Sequence, residues 1–172
     1  MNNLEVWQRG PIEGVPPLLQ PVAHAILQVS EEVESSLTNF PVSLLWTKPA
    51  GVASVGFHLQ HMTGVLDRLF TYARGEALSS TQLEALSDEG KPSESTDVNS
   101  LIKDLKQQVD KSVEQLKASD EKTLLDRRGI GRKQIPTNVL GLLFHAAEHT
   151  QRHLGQLIVT ARILSDEIRS EH

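Results

Sequence analysis

Apolar residues recur at spacings of three and four in four long stretches of this chain, and no stretch alternates convincingly with period two. A three-and-four spacing lines up one face of a helix. Leu19, Val22, Ala23, Ile26, Leu27, Val33 and Leu37 predict a first helix over 18–39. Asn39-Phe40-Pro41 ends it, because the residue before a proline resists the α region. Leu59, Met62, Leu66, Leu69 and Ala73 predict a second helix from about Val52 or Ser54 to Ala73, stopped at Arg74-Gly75. His61 is read at the edge of that arc and turned inward, with His58 about 60° further towards solvent. A third helix over 97–118 carries Val98, Leu101, Leu105, Val109, Ser112, Val113 and Leu116 at nearly heptad spacing. The last helix runs over 136–168 and opens at Pro136-Thr137.

The connections are read from their turn chemistry. Residues 79–89 predict a short helix capped by Ser80 or Thr81 and anchored by Leu83 and Leu86, followed by a loop over 90–95. Residues 127–133 form a basic, glycine-punctuated loop, and no sheet is expected anywhere. The first 17 residues are an irregular lead-in from which Trp7 is expected to pack on the body of the protein. Four long helices predict an all-α four-helix bundle, a single domain over 1–172.

Composition adds mainly exclusions. With 38% hydrophobic and 23% charged residues, a chain of 172 can bury a substantial core. A net charge of -5 and only 4% aromatic residues argue against a nucleic-acid partner. There is no cysteine, so any metal must be held by histidine, carboxylate or water, and no thiol nucleophile is available. No N-terminal apolar segment and no run near the roughly 18 apolar residues of a membrane span are found. A cytoplasmic protein without a membrane partner is expected.

The last helix changes the picture most. His145, His149 and His153 recur every four residues, and Leu142, Gln156 and Thr160 fall within about 40° of His149 on the same face. That face is read as the buried one, where an imidazole without a partner costs roughly 1–3 kcal/mol. His149 and His153 are one turn apart and can share one metal ion. With His61 from the second helix they make three imidazoles, the donor set of a catalytic or exchangeable site. On residues alone, a metal site and satisfied core histidines are equally good readings. A zinc protease motif is excluded, because Thr150 stands where its glutamate base would be. A di-iron carboxylate bundle lacks its Glu-x-x-His pairs. A hemerythrin-like carrier would need more ligands than His24 on the first helix and no histidine on the third. His145 is expected to be a buried structural residue, though it could also line the pocket or supply a fourth ligand, and His58 is expected at the surface or rim. Gln156 is expected beside a ligand imidazole or packed in the core, and Gly155 at a close helix approach.

Phe57-His58-Leu59-Gln60-His61-Met62, then Asp67-Arg68-Leu69, then His149-Thr150-Gln151-Arg152-His153-Leu154-Gly155-Gln156 resemble the DinB family over most of the chain, from about residue 18 to 164. The resemblance implies a four-helix bundle with a long crossover connection, in which His61, His149 and His153 bind a divalent metal (Zn, Ni, Fe or Mn). It also implies a metal-dependent enzyme acting on a small molecule, either a thiol-dependent S-transferase or isomerase using a low-molecular-weight thiol, or a hydrolase. A homodimer is the assembly it points to. The basic residues of 127–133 would then bind carboxylates of such a thiol. A metal-binding stress-response protein without catalysis is the alternative from another class.

Overall fold

The structure, a computed structural model, describes residues 4–92 and 96–170. Four long helices carry the chain: α1 (Gln20–Ser36), α2 (Val55–Ala73), α4 (Val98–Lys117) and α5 (Val139–Ser170), with a short α3 (Ser80–Asp88) between α2 and α4. α2 packs against α4 and α5, and α1 packs against the same two helices. One hydrophobic cluster draws residues from all four. The seven positions anticipated for the third helix are all buried on α4, which starts at an Asp97–Ser100 capping box.

α2 holds the site, and its start is well defined. The Ser54 hydroxyl accepts from the Phe57 amide and caps the helix. Gly56 follows because the Trp46 ring lies across it, where a Cβ would come within 2.5 Å of the ring. The indole thereby braces the first turn of the helix that carries His58 and His61.

Several expectations need correction. Residues 127–138 contain a small antiparallel sheet, β1 (Arg127–Ile130) paired with β2 (Ile135–Asn138). With four residues a side and mostly polar side chains, it has no alternating pattern to detect. The turn is carried by Gly131 at φ 63 and Gln134 at φ 48. The last helix therefore opens at Val139, where Asn138 Oδ1 accepts from the Gly141 amide at 2.7 Å, and not at Pro136-Thr137.

α3 is capped by Ser79, and Leu83 and Leu86 are exposed instead of anchoring it. Polar contacts hold α3, with Gln82 Nε2 donating to Asp67 Oδ2 and Thr71 Oγ1, both at 2.8 Å. The loop expected over 90–95 continues past Gly90, and its residues 93–95 lie outside the described residues. Trp7 is 60% exposed, its indole N–H donating to Glu5, while Val6 is the residue buried against the body.

Candidate metal centre

The buried residues of α5 are Val139, Leu142, Leu143, Ala146, Ala147, Thr150, Leu154, Leu157, Thr160, Ala161 and Leu164, with Leu142 and Thr160 at the edge nearest the histidines. The centre of this buried face is near Thr150, about 100° from the face that the histidine spacing singles out. The histidines therefore stand on the flank of the core, where α5 meets α2. His149 and His153 are half-buried there, and His145 and Gln156 are exposed. Thr150 is wholly buried, its hydroxyl donating to the Ala146 and Ala147 carbonyls of its own helix. No base is available at that position, as expected.

His61, His149 and His153 come together, with one donor nitrogen of each within 4.8 Å of the others. His61 Nε2 and His149 Nε2 are 3.0 Å apart, and the His153 ring centroid lies 4.4 Å from that of His61 and 4.7 Å from that of His149. Two nitrogens each about 2.1 Å from one ion, with an angle near 90–110° between them, lie roughly 3.0–3.4 Å apart. The spacing suits a shared divalent ion. His149 Nδ1 is buried with no hydrogen-bond partner, so only what meets Nε2 holds that ring in its tautomer. An ion on Nε2 is a stronger partner than a neighbouring imidazole.

The rings are supported from outside the cluster. His61 Nδ1 lies 2.6 Å from Glu89 Oε2, and Arg68 Nη1 donates to Glu89 Oε1 at 2.6 Å. Burial alone would raise the Glu89 carboxyl, but the hydrogen bonds from His61 and Arg68 hold it below the usual range. An ionised carboxylate only accepts, which assigns a proton to His61 Nδ1; in the neutral ring the Nε2 lone pair then faces His149. This is the carboxylate–histidine arrangement that orients a metal-binding imidazole.

On the other side His58 Nδ1 and His153 Nδ1 are 3.0 Å apart, so one carries the proton between them. Phe57 stacks on His61 with ring centroids 5.1 Å apart. Burial, followed by the charge of His61, pushes His58 down to about 4. Burial, followed by the neighbouring histidines and Arg152, does the same for His153. Burial and His61 also lower His149. These three rings are neutral near pH 7, the state in which imidazole binds metal.

The sequence profile of the DinB superfamily matches residues 25–157, which span the whole cluster. The chain belongs to the DinB superfamily. No curated protein matches it as a relative. Within this DinB fold the structure reverses two sequence expectations about histidines. Counted from Leu66 at the centre of the buried arc, His58 lies about 80° round α2 and His61 about 140°. His58 is accordingly the buried ring, 3% exposed, and not a surface residue.

His145 is exposed and pairs with Glu148, which Arg152 also holds. His145, Glu148 and His149 form a second close group, but its carboxylate is already engaged and His145 faces solvent. Gln156 is exposed and outside the core, and among the described residues its side chain makes no hydrogen bond to a ligand imidazole. Gly155 faces open space, so it marks no close helix approach.

Two residues of this DinB centre escaped the sequence reasoning. From the sequence, Glu89 is only the end of a short helix anchored by Leu83 and Leu86, and Arg68 enters only through the family resemblance. Gly64 was the available signal. A Cβ there would collide with the Arg68 and Glu89 heads, so a glycine inside a strong helix marks a group packed close against it.

Replacing Glu89 by glutamine is expected to weaken metal binding about 10–100-fold, the usual effect of losing such an outer partner. Competition with a chelator measures it, and unchanged affinity would show that Glu89 only braces the fold.

Acid should weaken the metal-free DinB chain. His58 and His153 have folded-state values near 4, below their ordinary 6.5, so from pH 6.5 downwards the unfolded chain binds protons that the native one refuses. Their contribution is complete above pH 6.5 and is lost as pH falls towards 4. For the buried His58 it is on the order of 1–3 kcal/mol. Melts in chelator at pH 7.5 and 5 should differ, and His58→Gln should reduce the difference; an equal pH response in the variant would refute the assignment.

Proposed function

We propose that this chain is a divalent-metal-dependent enzyme with His61, His149 and His153 as its protein ligands. The observation that carries the reading is the 3.0 Å approach of His61 Nε2 to His149 Nε2 beside His153, with the His61 lone pair oriented by Glu89. Three imidazoles with positions left open suit Zn, Ni, Fe or Mn. The helices form a four-helix bundle in this reading, with α3 riding on the long crossover between α2 and α4, and 1–172 is one domain.

The substrate is a small molecule held in a cleft of about 580 Å³ that reaches the cluster through His58. Val52 and Val159 give this cleft apolar walls, and Arg152 and Gln156 give it polar ones. A ligand with an apolar body and a carboxylate fits those walls. The arginines of the β1–β2 hairpin do not line this cleft, so they are not the carboxylate partners here.

A bound ion would supply Lewis acidity, lowering the pKa of a thiol or water brought to an open position. The chain's own part is to orient His61 through Glu89, to hold His153 through His58, and to cover His61 with Phe57. Both carboxylates near the cluster are engaged, Glu89 by His61 and Arg68, and Glu148 by His145 and Arg152. Among the described residues no carboxylate near the cluster is free to serve as base, which favours thiol-dependent transfer or isomerisation over hydrolysis, because a thiol, with an ordinary pKa of about 8.5, ionises far more readily than water.

The same lack of a base favours one second reading, a metal-binding protein without catalysis. Elemental analysis of untagged protein, followed by turnover assays with cellular thiols on each metal-loaded form, separates the two. Turnover abolished by chelation and restored by one metal supports the enzyme. Bound metal without turnover supports the second reading, and protein that binds no metal sinks both.

A further inference from the structure

At the end of α2 remote from the histidines, an open cleft of about 610 Å³ lies between the β1–β2 hairpin and the segment leading into α3. Arg127, Arg128 and Arg132 line it. Its nearest approach along α2, at Tyr72, is about 16 Å from His61 at 1.5 Å per residue, so the cleft is separate from the metal cluster. We propose that it binds a small organic phosphate, with the phosphate on Arg127 and Arg132 and the organic body against Tyr72, Leu78 and Leu83.

The arginines divide the work. Arg128 Nε donates to the Ala73 carbonyl at 2.8 Å, and Arg128 Nη1 to the Arg127 carbonyl at 2.8 Å. Arg128 thus fastens the hairpin to a carbonyl left over at the end of α2. Arg127 and Arg132 are exposed, and neither side chain has a hydrogen bond or ion pair among the described residues. The acid in the lining, Glu76, is taken by Arg74 at 2.7 Å. Among the described residues lining the cleft, two guanidinium groups are thus unpaired and no acid is free, on a chain whose net charge is -5.

Among the described residues the Tyr72 hydroxyl has no hydrogen bond either, and it borders Gly131, whose absent Cβ would lie 4.0 Å from it. Leu83, 46% exposed on α3, and the half-buried Leu78 supply the apolar wall. α3 thereby acquires a use for a leucine that does not anchor it.

Magnitudes select the ligand class. A single exposed ion pair is worth roughly 0–1 kcal/mol, so a monocarboxylate would barely bind. A phosphate monoester carries nearly two charges at neutral pH and offers three oxygens to the planar forks of two arginines. The cleft lies within the roughly 300–1,000 Å³ range of small-molecule sites.

The test is calorimetric titration of the full-length protein with adenosine monophosphate, phenyl phosphate, inorganic phosphate and citrate. Saturable binding of both organic phosphates, at least fivefold tighter than inorganic phosphate or citrate, is expected. The Arg127→Gln/Arg132→Gln double variant should lose about tenfold or more in affinity, equivalent to about 1.4 kcal/mol. Its melting temperature and metal content should stay unchanged, and His149→Ala should bind the phosphates as the parent does. Three results would each overturn the proposal: no saturable binding at millimolar ligand, citrate equal to the organic phosphates, or full binding by the double variant.

Discussion

Alanine at His61, His149 or His153 is expected to lower metal affinity by more than the roughly 10–100-fold typical of an outer-shell loss. Each substitution removes one of three imidazoles that share a 4.8 Å cluster. The other histidines form a graded series. His58→Ala removes the partner of His153 Nδ1 and should fall within the 10–100-fold range, not leave binding untouched as its expected surface position implied. His145→Ala removes an exposed ion-pair partner of Glu148 and should change affinity little. Chelator competition across the five variants, with circular dichroism to verify folding, measures the series. Equal losses at His58 and at the three proposed ligands would overturn the assignment, as would a large loss at His145.

That gradation marks where the sequence stops being readable. Helical periodicity located α1, α2, α4 and α5, because a long buried stripe needs repeated apolar side chains; all seven anticipated α4 positions are buried. The three histidines named from the sequence come together in the fold, yet the inward face of α5 is centred near Thr150, about 100° from His149, and takes in only Leu142 and Thr160 of the positions expected to share the buried face with His149. Polar residues with a regular spacing looked like the buried face, when they line the seam beside it. His145 and Gln156 were drawn inwards by that error. On α2 the order of His58 and His61 was inverted, since the true arc is centred on Leu66, nearer His58. Glu89 could not be reached by periodicity at all. It meets His61 from 28 positions further along the chain, at the end of a helix with no buried residue of its own. The hairpin was missed for a related reason, that short polar strands carry no pattern of their own.

Arg68→Met should produce the largest loss of stability, about 3–5 kcal/mol, because it leaves the Glu89 carboxylate buried without its guanidinium. Both side chains are nearly inaccessible, 10% and 8% exposed, so water does not replace the lost partner. For a chain of this length that corresponds to a fall in melting temperature of roughly 6–20 °C. The intact pair also ties stability to acid. The Glu89 carboxyl sits below its ordinary 4.5, so its contribution is present above that pH and is lost as pH falls through the folded-state value. Removing both charges separates the two duties of the pair. Arg68→Met/Glu89→Leu replaces a buried ion pair by apolar side chains of similar size and should recover much of the lost stability. It should not recover metal affinity, because His61 Nδ1 then has no acceptor to hold its Nε2 lone pair towards His149. Thermal melts in chelator measure the first quantity and chelator competition the second. If the double variant regained both together, Glu89 would be a structural counter-ion alone, and the orientation of His61 would have to come from its stacking on Phe57.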